Sequence, residues 1–181
     1  MDALSPFPQI ERTYDTSLIK QVMTDPAIWD FIADDGSPAP SDFEPLNPHG
    51  VIYLQAIQGC QLAGLFLFVP QNLVSYEVHT CLLPEGRGAF GVEAAKAAAR
   101  WMWQNTTAKR IFTNIPSYNR PARWFAKAAG MRQFGINPLS YQKDGQLYDQ
   151  YLLGLGPAAV SSIPCEVPPN DMPASSRSFK T

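Results

Sequence analysis

The sequence predicts an α/β protein of mixed α+β character, with a central, mostly antiparallel mixed sheet flanked by helices. Three observations lead there. Helical and strand signals interleave along the chain in the order β-α-α-β-β-β-α-β-α-β-β, rather than falling into separate blocks. Residues 62–69 form an apolar run too short for a membrane span, which needs about 20 residues, so the run reads as a buried strand. Between residues 74 and 115 a strand, a glycine-rich loop, a helix and a strand follow one another, the form of a βαβ crossover.

The elements are justified in turn. Residues 10–14 suit a short strand. Asp15 or Thr16 caps a helix whose apolar positions Leu18, Ile19, Val22 and Met23 recur at helical spacing. Asp25 caps a second helix with Pro26 in its first turn, and Asp34-Asp35-Gly36 ends it. Residues 37–49 are a loop with four prolines. Residues 51–57, 61–69 and 74–83 are three strands joined by short turns, so consecutive strands run antiparallel. A helix from residue 92 to about residue 104 carries Glu93, Lys96, Arg100 and Gln104 on one stripe. Its opposite side, with Ala95, Ala98 and Ala99, is small enough to lie close to a sheet. Residues 110–115 form a strand. Asn119 caps a last helix with Pro121 in its first turn, and Gly130 stops it. Residues 134–142 and 146–153 are strands around Asp144-Gly145, a strong hairpin signal.

Composition narrows the function. The chain has 181 residues, and its 45% hydrophobic content excludes wholesale disorder. A net charge of −2 offers no basic excess for nucleic acid. The first nine residues lack the basic start and apolar stretch of a secretory signal, so a cytoplasmic location is expected. Cys60, Cys81 and Cys165 show no C-x-x-C spacing, and His49 and His79 add no ligand pattern, so no metal site is expected. Of the 17 prolines, seven fall in residues 6–48 and five in residues 157–173. Together with five serines, the later group sets off residues 156–181 as a tail behind a compact domain of residues 1–155. A tail of that composition can dock on a partner in extended form.

Chemistry concentrates in the middle of the chain. Gly86, Gly88 and Gly91 ahead of a helix allow a backbone to approach an anion closely, and Arg87 adds a cation. Glu77 and His79 are two apart on one strand and share a face, as does Cys81. Either Glu77 or His79 suits a general base acting through water, and the ordinary histidine pKa of about 6.5 favours His79. The competing reading makes both hydrogen-bonded structural residues. For Cys81, a buried small hydrophobe outranks a covalent carrier. Asp34 and Asp35 either hold an amine or form a solvated turn at the helix end.

The strand ending Leu82-Leu83-Pro84-Glu85, then Arg87-Gly88, then a helix carrying Glu93-Ala94, resembles the cofactor motif of the GNAT superfamily of N-acetyltransferases. Asn119-Arg120-Pro121-Ala122, followed by Trp124 to Gly130-Met131, resembles the second half of that motif. Glu77 and Pro84 fall where the Rim type, the ribosomal-protein N-terminal acetyltransferases, has Glu and Pro. Asp34-Asp35-Gly36, Trp101-Met102-Trp103, Tyr118-Asn119-Arg120 and Ser140-Tyr141-Gln142 also resemble a phage-encoded GNAT-like family, some of whose members are labelled head-assembly proteins.

The resemblance implies a GNAT-like fold and acetyl-CoA as cofactor. It implies that Leu82 and Leu83 pair with the pantetheine arm, that Arg87, Gly88, Ala89 and Gly91 cradle the pyrophosphate, and that Asn119 contacts the cofactor. Glu77 and His79 are the candidate catalytic residues, and the acceptor is an amine of a protein or small molecule. Two departures stand out. Phe90 and Val92 occupy the two loop positions that are usually small, and Ala126 stands where many members carry a tyrosine acid. Tyr118 and Tyr141 are candidates to replace that acid. An alternative is a catalytically inactive GNAT-fold protein in virion assembly, binding a phage structural partner through the tail and found in host cytoplasm or virion. No membrane or nucleic-acid partner is indicated.

Overall fold

The computed structural model describes residues 8–157. Its elements are β1 (Gln9–Thr13), α1 (Thr16–Met23), α2 (Pro26–Ile32), β2 (Ile52–Gln58), β3 (Gln61–Pro70), β4 (Ser75–Leu82), α3 (Ala89–Asn105), β5 (Arg110–Pro116), α4 (Arg120–Ala128), β6 (Arg132–Lys143) and β7 (Gln146–Leu155). Short 3-10 turns lie at Pro40–Asp42 and Pro84–Gly86. The predicted element order is the observed one.

The three helix caps read from sequence form as side-chain acceptors. Asp15 takes the amides of Ser17 and Leu18, Asp25 that of Ala27, and Asn119 that of Ala122. At the hairpin, Asp144 and Gly145 both have positive φ, 54° and 71°, the conformation a two-residue turn between strands requires.

One seven-stranded sheet runs in the order β1-β2-β3-β4-β5-β7-β6. Every neighbouring pair is antiparallel except β4 and β5. The central strands are buried on both faces. Leu54, Phe66, Phe68 and Val78 meet the alanine side of α3 through Ala94, Ala98 and Ala99. Tyr53, Leu65, Leu67 and Cys81 meet Ile19, Val22 and Ile28 of α1 and α2 on the opposite face. Strands covered twice lose the alternation of a half-exposed sheet, which is why residues 62–69 read as a continuous apolar run. A smaller cluster of Ile115, Ala126 and Leu153 seats α4 on β5 and β7.

Two expectations are corrected. The glycine-rich stretch is shorter than predicted, because α3 begins at Ala89 and not at residue 92. Gly91 therefore lies inside the helix, where a Cβ would sit 2.7 Å from the Gly86 carbonyl oxygen. A Cβ on Gly86 would come within 2.2 Å of the Ala63 carbonyl oxygen. Both glycines let the 3-10 turn squeeze between β3 and α3. The second correction is β6, which extends over Arg132–Lys143 by absorbing two register shifts, one of them across Pro138.

No helix among the described residues is long and apolar enough to cross a membrane. No cluster of three His, Cys, Asp or Glu side chains suited to a metal occurs among them. Cys165 and the tail from residue 158 onward lie outside the described residues.

Candidate functional site

The parallel pairing of β4 with β5 covers three residue pairs: Ser75 with Arg110, Tyr76 with Ile111, and Glu77 with Phe112. Beyond Glu77 the two strands part, while each keeps its antiparallel partner on the outer edge. The sheet thus opens as a wedge, and inner-edge backbone groups along β4 face no strand. Such groups require partners from elsewhere.

A cavity of about 780 Å³ at the wedge is lined by residues from both faces of the sheet. On the α3 and α4 side it is lined by Ala95, Ala99, Asn119, Trp124 and Phe125. On the α2 side it is lined by Ile28, Phe31, His79 and Asn114, with Ser140 and Tyr141 of β6 at the rim.

Glu77 stands where the strands separate. Its carboxylate Oε1 accepts a hydrogen bond from Asn114 Nδ2 at 2.9 Å and lies 4.0 Å from His79 Nε2. Its side chain is 19% exposed and that of His79 is 47% exposed. Partial desolvation of the half-exposed imidazole against the cavity wall lowers the His79 pKa below its ordinary value, and the Glu77 carboxylate only partly offsets this. His79 is therefore neutral near pH 7. The two candidate catalytic residues are brought together at the cavity. Cys81, on the same face, is fully buried, and burial pushes its thiol up to about 12, so it stays protonated.

The predicted cofactor residues divide. Leu82, Arg87, Gly88 and Asn119 line the cavity. Leu83, Ala89 and Gly91 do not, and the Leu83 amide is already given to the Ala63 carbonyl. Arg87 does not hang free as a loop cation. Its Nε donates to the Leu82 carbonyl at 3.1 Å and its Nη2 to the Ala27 carbonyl at 2.6 Å, which ties α2 to the end of β4. Phe90 turns into the α3 core. The start of α3 is consequently open: Gly88 has a φ of 73°, supplies no side-chain cap, and has nothing within 4 Å of where a Cβ would be. No acidic residue occupies the first turn. The first amides of a helix have no partner within it and favour an anion there.

The candidates for the missing acid stand elsewhere. Ala126 is buried and lines the cavity. Tyr141 also lines it, but its hydroxyl donates to the Ala33 carbonyl at 3.1 Å. Burial raises the pKa of both Tyr118 and Tyr141. Tyr118 packs edge-on against Tyr148, with ring centroids 4.7 Å apart. Asp35 is committed to the hairpin, its carboxylate oxygens accepting the amides of Asp144 at 2.7 Å and Gly145 at 2.9 Å. Asp34 closes its own turn by accepting from Gly36 and Ser37.

Sequence reasoning missed Asn114. The signal was present: Thr113-Asn114 falls between the apolar Phe112 and Ile115, and asparagine is disfavoured in strand interiors.

A sequence model of the family described as "Protein of unknown function (DUF2824)" matches residues 36–151. The chain belongs to that family. No curated protein matches its sequence. In structure, the DUF2824 chain is similar to spermidine N-acetyltransferase from Vibrio cholerae in complex with CoA and spermine, with a TM-score of 0.69 at 16% identity, covering 82% of this chain and 95% of that one. It is similar to a GNAT-family acetyltransferase from Bacillus anthracis, with a TM-score of 0.65 at 17% identity over 83% and 95% of the two chains. It is also similar to ribosomal-protein-S5-alanine acetyltransferase from Vibrio fischeri, with a TM-score of 0.66 at 15% identity over 86% and 97%. At these identities the likeness establishes the fold. The DUF2824 chain has the GNAT fold that its motifs implied.

Proposed function

We propose that the protein is an acetyl-CoA-dependent N-acetyltransferase, with residues 1–155 as the catalytic domain and residues 156–181 as an appended tail. The observation that carries this reading is the wedge between β4 and β5, with an uncapped helix start beside it and Glu77 and His79 at its mouth.

The residues present fit the cofactor. The acid-free first turn of α3, opening on Gly88, suits a pyrophosphate. The unpaired edge of β4 suits an extended arm bearing amides, and the wedge has room for one. When bound, acetyl-CoA supplies an activated acetyl thioester. The chain's own residues prepare the acceptor. An amine arrives as ammonium and must lose a proton before it can attack. Neutral His79 takes that proton on Nε2, and the Glu77 carboxylate 4.0 Å away steadies the resulting imidazolium. Asn114 holds Glu77 in place.

The direct test is calorimetry with coenzyme A, followed by thiol release in the presence of amines. Saturable one-to-one binding is expected, and absence of binding at millimolar cofactor removes the reading. A second reading, a GNAT-fold protein that binds partners without catalysis, draws support from buried Ala126 and from the commitment of Arg87 to two carbonyls. Membership of a phage virion belongs to that reading. It requires that the protein co-purify with particles and turn over no acetyl-CoA.

A further inference from the structure

The geometry points to a second subsite on the face of β5 shared with Glu77, holding the far end of the acceptor: a terminal oxyanion, bound by Arg110 while the acceptor amine sits at Asn114. The fitting acceptor class is a short extended peptide with a free carboxylate. This rests on the acetyltransferase reading above.

Residues paired across neighbouring strands share a face. The pairs Ser75 with Arg110 and Glu77 with Phe112 therefore place Arg110, Phe112 and Asn114 on the side of the sheet that carries Glu77. On that side a second cavity of about 270 Å³ is lined by Ser75, Arg110, Phe112, Asn114, Phe134 and Leu152. Asn114 lines both cavities, so the two adjoin at its side chain.

Each end of this groove presents a group the fold leaves unused. Asn114 gives its amide hydrogen to Glu77, but its Oδ1 is buried with no partner. A buried acceptor without a donor is costly, and an incoming N–H relieves it. At the other end the Arg110 guanidinium lies 4.4 Å over the Phe134 ring. Among the described residues no acidic side chain lies within ion-pairing distance of it. Gly154 makes room there, since a Cβ on it would stand 3.0 Å from Arg110 Nη2. An arginine stacked on a ring and lacking an acid offers a planar fork matched to a carboxylate.

The spacing sets the ligand length. Four residues along an extended strand span about 13 Å, close to an extended tetrapeptide from amine to carboxylate. Phe112 and Leu152 give apolar ground between the ends. The charge order, Glu77 at the amine end and Arg110 at the other, matches a zwitterionic peptide. It opposes a polyamine, whose second cation would meet Arg110.

The test is calorimetry of the full chain, without cofactor, using tetra-alanine as the free acid, its C-terminal amide, and spermidine. The free acid is expected to bind about tenfold tighter than the amide, in line with a charge-assisted bond. Arg110→Gln is expected to bring the free acid down to the level of the amide. Because the acid and amide are compared on unaltered protein, the result stands even if the variant misfolds. Equal binding of acid and amide, no binding of either, or tighter binding of spermidine overturns the subsite. Acid preference without coenzyme A binding sinks the acetyltransferase reading and leaves the subsite standing.

Discussion

Asn114 Nδ2 donates to Glu77 Oε1 at 2.9 Å across the opening between two strands that no longer pair with each other. The bond spans the site's mouth, so its worth is in orientation. Hydrogen bonds to charged groups contribute about 1.5–3 kcal/mol, or roughly 10–100-fold in a rate that depends on them. Asn114→Ala is expected to lower kcat by that factor and also to lower the thermal midpoint, since the Glu77 carboxylate loses its donor. Asn114→Asp is expected to move the acid limb of the pH profile upward, because a second carboxylate favours protonated forms nearby. Steady-state kinetics against pH checks both, and an unmoved profile argues for a structural role alone.

His79 sets a pH dependence of defined sign. Its folded-state pKa lies below the ordinary 6.5, chiefly through partial desolvation at the cavity wall. On the proposed mechanism, activity is expected to fall as pH drops through the lowered value, because His79 then carries the proton it must accept. Stability follows the same direction. Below about pH 6.5 the unfolded chain binds this proton before the folded one does, so His79 costs stability as pH falls. His79→Gln is expected to remove both effects, as read by kcat/KM and urea midpoints between pH 5 and 7.

Gly88 and Gly91 separate two reasons for glycine. Gly91→Ala places a methyl 2.7 Å from the Gly86 carbonyl oxygen and is expected to cost about 1–3 kcal/mol by overpacking. Gly88→Ala meets no atom within 4 Å, but its φ of 73° with ψ of −141° is open almost only to glycine. Its penalty, about 1–3 kcal/mol, is backbone strain alone. Urea unfolding reads both. Trimming the neighbouring Leu82 to Val is expected to ease the first substitution and leave the second unchanged.

The end of α2 is fastened to the hairpin from several sides. Lys143 Nζ reaches the Asp30 and Ala33 carbonyls at 2.5 and 2.9 Å, and Asp35 takes two amides at the hairpin tip. Asp35→Ala is expected to cost about 1 kcal/mol and to speed hydrogen exchange at Asp144 and Gly145 selectively. Uniform exchange across β6 and β7 would argue against the clamp.

Most of the architecture was legible because its signals are local. Asp15, Asp25 and Asn119 cap helices with their own side chains, Asp144-Gly145 dictates its own turn, and the alanines of α3 declare a close packing face. The start of α3 was not legible, since Gly86 answers to the Ala63 carbonyl on β3 and Gly91 to the Gly86 carbonyl and the Leu82 side chain, contacts that only the folded turn creates. In the same way the hold of Arg87 on the Ala27 carbonyl was not legible, because tertiary packing alone brings α2 beside it. Glu77 and His79 could be paired from strand periodicity, whereas their link to Asn114 required knowing that β4 and β5 are neighbours.

The three-pair contact between β4 and β5 amounts to a vacancy for an eighth strand held inside a seven-stranded sheet. A guest suited to it, on the proposed function, would be selected by rhythm and not by bulk. It must be linear, and its amide groups must recur at the backbone's own repeat, so that the exposed row along β4 is answered one group after another. A rounded molecule of equal volume would fill the space and leave that row unanswered.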